Sequence, residues 1–172
     1  MTYSTTDLLD LLFGGTSDEK ISRMEELHAL YGHDLKNNVS VIASLALIDK
    51  HSDRLATHML AMKLDHLCTN CASIEGGGCC SSYMEANSST LLLLINKLHG
   101  VDVCRQHEPS ADCCFLGVAG CILPIKPIFC LNYNCKHIVD QATDAEMAEL
   151  ELLAGRLLLE QNNLESIIME SL

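Results

Sequence analysis

Apolar residues recur at helical spacing through most of the chain. Leu8, Leu9, Leu11 and Leu12 follow Thr6, a candidate N-cap, and Gly14-Gly15 closes the run. Thr16 and Glu19 then stand at capping-box spacing, in which each side chain satisfies a free backbone N–H of the other residue. Ile21, Met24, Leu27, Tyr31 and Leu35 share one helical face, continued by Val39, Ile42 and Ala46. Ser52 is the next candidate N-cap and leads into the stripe Leu55, Met59, Met62 and His66. The pattern predicts two antiparallel helices that deliver the chain to Cys68.

From 68 to 82 the periodicity gives way to Gly, Ser and Cys, including Gly76-Gly77-Gly78, and a loop is expected. A helix is predicted from about 87 or 88 to 98, with Gly100 placed to end it. Residues 101–137 are irregular and broken by Pro109, Pro124 and Pro127. Such a stretch buries too little to hold its own shape and needs ligation or a scaffold. Residues 140–172 read as a long acidic helix. Within it Met147, Leu150, Ala154, Leu157, Gln161, Leu164 and Ile168 keep the spacing of a heptad seam. The seam is read first as a core-facing stripe and second as a homodimer contact with Gln161 as its polar layer.

The expected fold is mainly α: a helical bundle with an irregular cysteine-rich metal-binding insert. A length of 172 residues suits one domain. It divides into a helical region at 1–67, a cysteine-rich region around one helix at 68–137, and a C-terminal helix at 138–172. The absence of Trp and an aromatic content of 4% favour packed helices over a β-sandwich. A formal net charge of −12 argues against nucleic acid or an anionic membrane as partner, since both are held by excess Lys and Arg. An acidic surface suits docking to a basic protein partner. Met1-Thr2-Tyr3-Ser4 lacks the basic start of a secretory signal, and the longest aliphatic run, 91–95, is too short for a membrane span. A cytoplasmic location is expected, where disulfides are rarely kept.

All ten cysteines lie between Cys68 and Cys135. Disulfides, zinc and iron–sulfur clusters are the three chemistries that explain such crowding. Cys68-x-x-Cys71 lets two sulfurs point at one ion with little strain. It precedes a Gly-rich stretch whose backbone N–H groups are suited to bond cluster sulfurs. A single redox dithiol leaves the other cysteines unexplained.

The later stretch is more specific. It reads Cys113-Cys114-Phe115-Leu116-Gly117-x-x-Gly120-Cys121-x-Leu123-Pro124-x-Lys126-Pro127-x-x-Cys130-x-x-Tyr133-x-Cys135. Together with Cys68, Cys71, Cys79 and Cys80 it resembles the YkgJ family, zinc- or iron-chelating proteins of the C-x-x-C-x-x-C-C type. The resemblance covers residues 68–137. The gap before the Cys79-Cys80 pair is longer than the family's compact form, and Lys126 stands where Arg is usual. The resemblance implies eight metal ligands: Cys68, Cys71, Cys79, Cys80, Cys114, Cys121, Cys130 and Cys135. Four thiolates make a closed zinc site or hold one [4Fe–4S] cluster. One C-x-x-C followed by adjacent and widely spaced cysteines suits a multi-iron cluster better than paired zinc knuckles, so an iron–sulfur cluster is expected, with zinc as the alternative. Cys104 and Cys113 are read as small buried hydrophobes. His99, His107 and His137 are read as surface or capping residues, and Phe115 and Tyr133 as packing that shields the site.

A second motif, His33-Asp34-Leu35-Lys36-Asn37-Asn38-Val39, resembles the phosphoacceptor box of sensor histidine kinases, which implies phosphotransfer through His33. The chain has no room for an ATP-binding domain beside it. No nucleophile elbow, P-loop, H-E-x-x-H or paired-carboxylate arrangement stands out, and no catalytic residue is assigned. The expected function is non-enzymatic: electron transfer, redox sensing or metal handling with a protein partner. The alternative is a zinc-stabilised structural or interaction module.

Overall fold

The computed structural model describes residues 5–72, 78–118 and 120–172, and it is mainly α. The order is α1 (Thr5–Phe13), α2 (Ser17–Asn37), α3 (Val39–Ala61), α4 (Leu64–Ala72), α5 (Ser82–Glu85), α6 (Thr90–Leu98), β1 (Leu116–Gly117), β2 (Gly120–Cys121), α7 (Ile128–Asn132), α8 (Lys136–Gln141) and α9 (Asp144–Met169). The expectations placed on 1–4, Gly76 and Gly77 lie outside the described residues. No helix among the described residues is long and apolar enough to cross a membrane.

The expected capping box starts α2. Thr16 N–H donates to Glu19 Oε2 at 2.7 Å, and Glu19 N–H donates to Thr16 Oγ1 at 3.3 Å. Gly15 before it sits at φ +89°, a backbone conformation that favours glycine. The helix that follows ends at Asn38, not at Ser52, which lies inside α3. Asn38 takes an extended backbone, and its Oδ1 accepts from Ser40 N–H at 2.9 Å and Val41 N–H at 3.4 Å. A short polar side chain that satisfies the next helix's free N–H groups outcompetes helix continuation.

The two helices so divided do not pair with each other along their lengths. α2 lies along α6 and α3 lies along α9, which replaces the expected antiparallel pair. α6 is the hub. Leu91, Leu92, Leu93, Leu94, Ile95 and Leu98 are all buried, as a helix apolar around its whole circumference must be. Ser89 caps it, accepting from Leu92 N–H at 3.0 Å, and Gly100 follows at φ +94°.

The expected C-terminal helix divides into α8 and α9, with Thr143 and Glu146 forming a second capping box. Its seam is spent inside the chain. Leu150, Ala154, Leu157, Gln161, Leu164 and Ile168 are buried, and Gln161 Nε2 donates to the Lys126 carbonyl at 3.3 Å. The face read as a possible homodimer contact is therefore a core stripe.

Candidate metal centre

The C-x-x-C lies on a helix rather than in a loop. Cys68 and Cys71 sit three residues apart in α4, a separation that places both on one helical face. α4 packs against α8, whose N-cap is Cys135. Gly78 N–H points at Cys71 Sγ at 3.4 Å, the kind of backbone-to-sulfur contact expected of the Gly-rich stretch. The segment around Cys79 and Cys80 is stitched to the segment before Cys114. Cys113 N–H donates to Cys80 O at 3.0 Å, Ser82 N–H to Ala111 O at 2.8 Å, and Ser81 bridges Asp112. β1 and β2 then form a minimal antiparallel hairpin with Cys121 opposite Leu116. Cys130 belongs to α7.

Several of these thiols lie near enough to influence one another's ionisation. Burial pushes the Cys68 thiol up, and Cys79, Cys135, Cys71 and Asp65 add to the shift in that order. Cys79 and Cys80 share a hydrogen bond that lowers Cys79 and raises Cys80, and Cys80 also feels Cys113 and Cys121. Cys130 is pushed up to about 11 by burial, then by Cys121, Cys113 and Cys79, against the pull of Lys126. Burial is the largest cause at Cys68 and Cys130 and the Cys79–Cys80 hydrogen bond at that pair, with the neighbouring sulfurs adding to the rise at Cys68, Cys80 and Cys130. One neighbourhood thus holds Cys68, Cys71, Cys79, Cys80, Cys113, Cys121, Cys130 and Cys135.

Cys114 stands apart. It is wholly buried in the core. Its N–H donates to Glu85 Oε2 at 2.6 Å, and burial, then Glu85, pushes its thiol up to about 12. Within the Cys113-Cys114 pair, Cys113 is half-buried and Cys114 wholly buried. Cys104 is exposed and paired with Gln106, Nε2 to Sγ at 3.3 Å. Phe115 is buried, but Tyr133 is exposed and shields nothing.

The histidines stay outside the set. His107 turns both ring nitrogens to carbonyls, Nδ1 to Glu108 O at 2.8 Å and Nε2 to Cys113 O at 3.0 Å, which leaves no lone pair for a metal. His99 pairs with Asp49 at 2.7 Å, and His137 is exposed. His33 is exposed on α2, and Asn37 Nδ2 donates to its carbonyl at 2.8 Å. α3, which follows α2 after Asn38, runs along α9.

No family model, curated protein or solved structure matches the chain.

All ten cysteines are free thiols. Among the described residues no three His, Cys, Asp or Glu side chains stand close enough to hold one ion. The donors nevertheless fit zinc or an iron–sulfur cluster in kind. They are soft thiols from five segments, with Asp65 the carboxylate felt by Cys68. Ligation would require these thiols to lose their protons and draw together.

Proposed function

We propose that the protein binds metal through its clustered thiols, holding iron–sulfur clusters for electron transfer, redox sensing or metal handling with a protein partner. The observation that carries this reading is the convergence of thiols from α4, the 78–80 segment, the 113–121 hairpin, α7 and the N-cap of α8 into one neighbourhood. Deprotonated together, these sulfurs need a cation to offset their charge, and a thiophilic metal ion supplies it. The resemblance of residues 68–137 to the YkgJ family supports the same chemistry. The formal charge of −12 supports a basic protein as partner, and a cytoplasmic setting would keep the thiols reduced.

The alternative is a zinc-stabilised module without redox chemistry. It is favoured by the shortness of α5, α7 and α8, which are four, five and six residues long. Elements so short gain most from a metal cross-link.

Anaerobic purification followed by a visible spectrum and iron, zinc and sulfide analysis tests both readings. Broad visible absorbance with matched iron and sulfide supports the first. A colourless protein holding zinc supports the second. A folded chain that retains no metal after loading with either overturns both.

A further inference from the structure

We infer that a second copy of the chain docks on α3, antiparallel to it, over an apolar stripe that the fold leaves uncovered. The stripe lies apart in sequence from every cysteine, and the inference does not rest on the metal-binding reading.

α3 carries two apolar faces. Val41, Ser44, Ile48 and Leu55 form the buried one, and α3 packs on α9. Val39, Ile42, Ala43, Ala46 and Leu47 form the other. All five are exposed, Val39 at 80%, Ile42 at 52% and Leu47 at 41%. At about 100° per residue they share one sector of the helix, whose midline stands about 160° from that of the buried face. Their spacing of three and four is that of a face made to be covered, and among the described residues no element covers it. The α9 seam is already filled by the core, so this stripe is a separate surface.

Charge selects the occupant and its direction. Asp34 and Lys36 precede the stripe at the end of α2, and Asp53 and Arg54 follow it on α3. All four are exposed, and among the described residues none is in an ion pair. An antiparallel pair centred between Ala43 and Ala46 sets Ile42 against Leu47 of the second copy and Ala43 against its Ala46. Small residues at the centre let the two helices approach closely. The same register brings Lys36 toward Asp53 of the second copy and Asp34 toward its Arg54, opposite signs at both ends. A parallel pair would instead set Lys50 against Lys50 and Asp53 against Asp53. Within α3 the charges of Asp49 and Asp53 are balanced by Lys50 and Arg54, so two copies of an acidic chain meet over a neutral helix. With its charged rim such a contact buries on the order of 1,000 Å² in total, the lower end of specific interfaces, which suits a reversible dimer.

The test is sedimentation equilibrium of the reduced full chain from about 1 to 200 µM, a range that brackets a micromolar dissociation constant. The mass is expected to rise from the 18.8 kDa of one chain toward twice that value. Ile42→Glu with Leu47→Glu should raise the dissociation constant by about 30-fold or more. Both side chains are exposed, so helical circular dichroism should not change. Lys36→Glu and Asp53→Lys should each weaken association about fivefold, and the two together should restore it. The charge variants decide the matter if the double glutamate variant fails to fold. A chain that stays monomeric across the range overturns the inference and leaves the stripe to a different protein. A dimer that survives both glutamates in a folded chain also overturns it, because the contact then lies elsewhere. Charge variants that fail to compensate overturn the antiparallel register.

Discussion

Asn96 and Ile125 exchange a pair of hydrogen bonds across the core: Ile125 N–H donates to Asn96 Oδ1 at 3.1 Å, and Asn96 Nδ2 donates to Ile125 O at 2.8 Å. The same amide also donates to Leu92 O at 2.9 Å, so every polar atom of this wholly buried side chain has a partner. The pair fastens the irregular 123–127 segment to the hub helix α6. Replacing Asn96 with Leu leaves a buried N–H and a buried carbonyl without partners. The expected loss is on the order of 3 kcal/mol in chemical denaturation. A loss within experimental scatter would show that the segment is held by other contacts.

Cys104 and Cys114 provide a contrast in reactivity. In the native, reduced chain, iodoacetamide should modify exposed Cys104 readily. Cys114 is wholly buried and held at a pKa of about 12, so it should react after denaturation and not before. Mass spectrometry of the alkylated peptides reads the order directly. Equal labelling of the two under native conditions contradicts the placement of Cys114.

Glu85 links three parts of the fold, accepting from the Ser17 hydroxyl at 2.7 Å and from Cys114 N–H. Burial pushes its carboxyl up, but the Cys114 and Ser17 hydrogen bonds and the Arg105 charge together bring it below the ordinary value of 4.5. A carboxylate with a depressed folded pKa contributes stability that is present above the unfolded value and is lost as pH falls through the folded one. The stability gap between the native chain and Glu85→Gln should therefore narrow on acidification from 4.5 downward. Urea midpoints across that window check the sign. A gap that widens instead would refute it.

Lys63 occupies the left-handed region at φ 59° in the turn from α3 into α4. A side chain there pays a steric cost that glycine avoids. Lys63→Gly should raise stability by about 0.5 to 1 kcal/mol, the relief being partly offset by the greater freedom of glycine in the unfolded chain. A fall in thermal midpoint would mean that the lysine side chain contributes more than its backbone strain costs.

The long helices were legible because apolar residues repeat along them, and the Thr16–Glu19 box because two side chains three residues apart carry the whole signal. The equivalent Thr143–Glu146 box has the same spacing, but it sits within an acidic stretch whose pattern reads as one continuous helix. The break at Asn38 was hidden because Val39 and Ile42 prolong the periodicity although both are exposed. Cys68, Thr69, Asn70 and Cys71 favour helix weakly, so a loop was expected where packing of α4 on α8 sustains a helix. The crowding of cysteine showed where the thiols gather. The different burial of Cys113 and Cys114 depends on a residue distant in sequence, Glu85, which receives the Cys114 N–H.

The packing of α9 on α3 has a consequence for synthesis. α3 emerges from the ribosome long before its partner, and Val41, Ile48 and Leu55 stay uncovered until residues 144–169 follow. Every cysteine is translated before that helix. The thiols are thus presented to metal and to oxidants while the scaffold around them is still open. A nascent chain stalled before Thr143 carries all ten cysteines on an unfinished core, the kind of partly folded state most prone to aggregate.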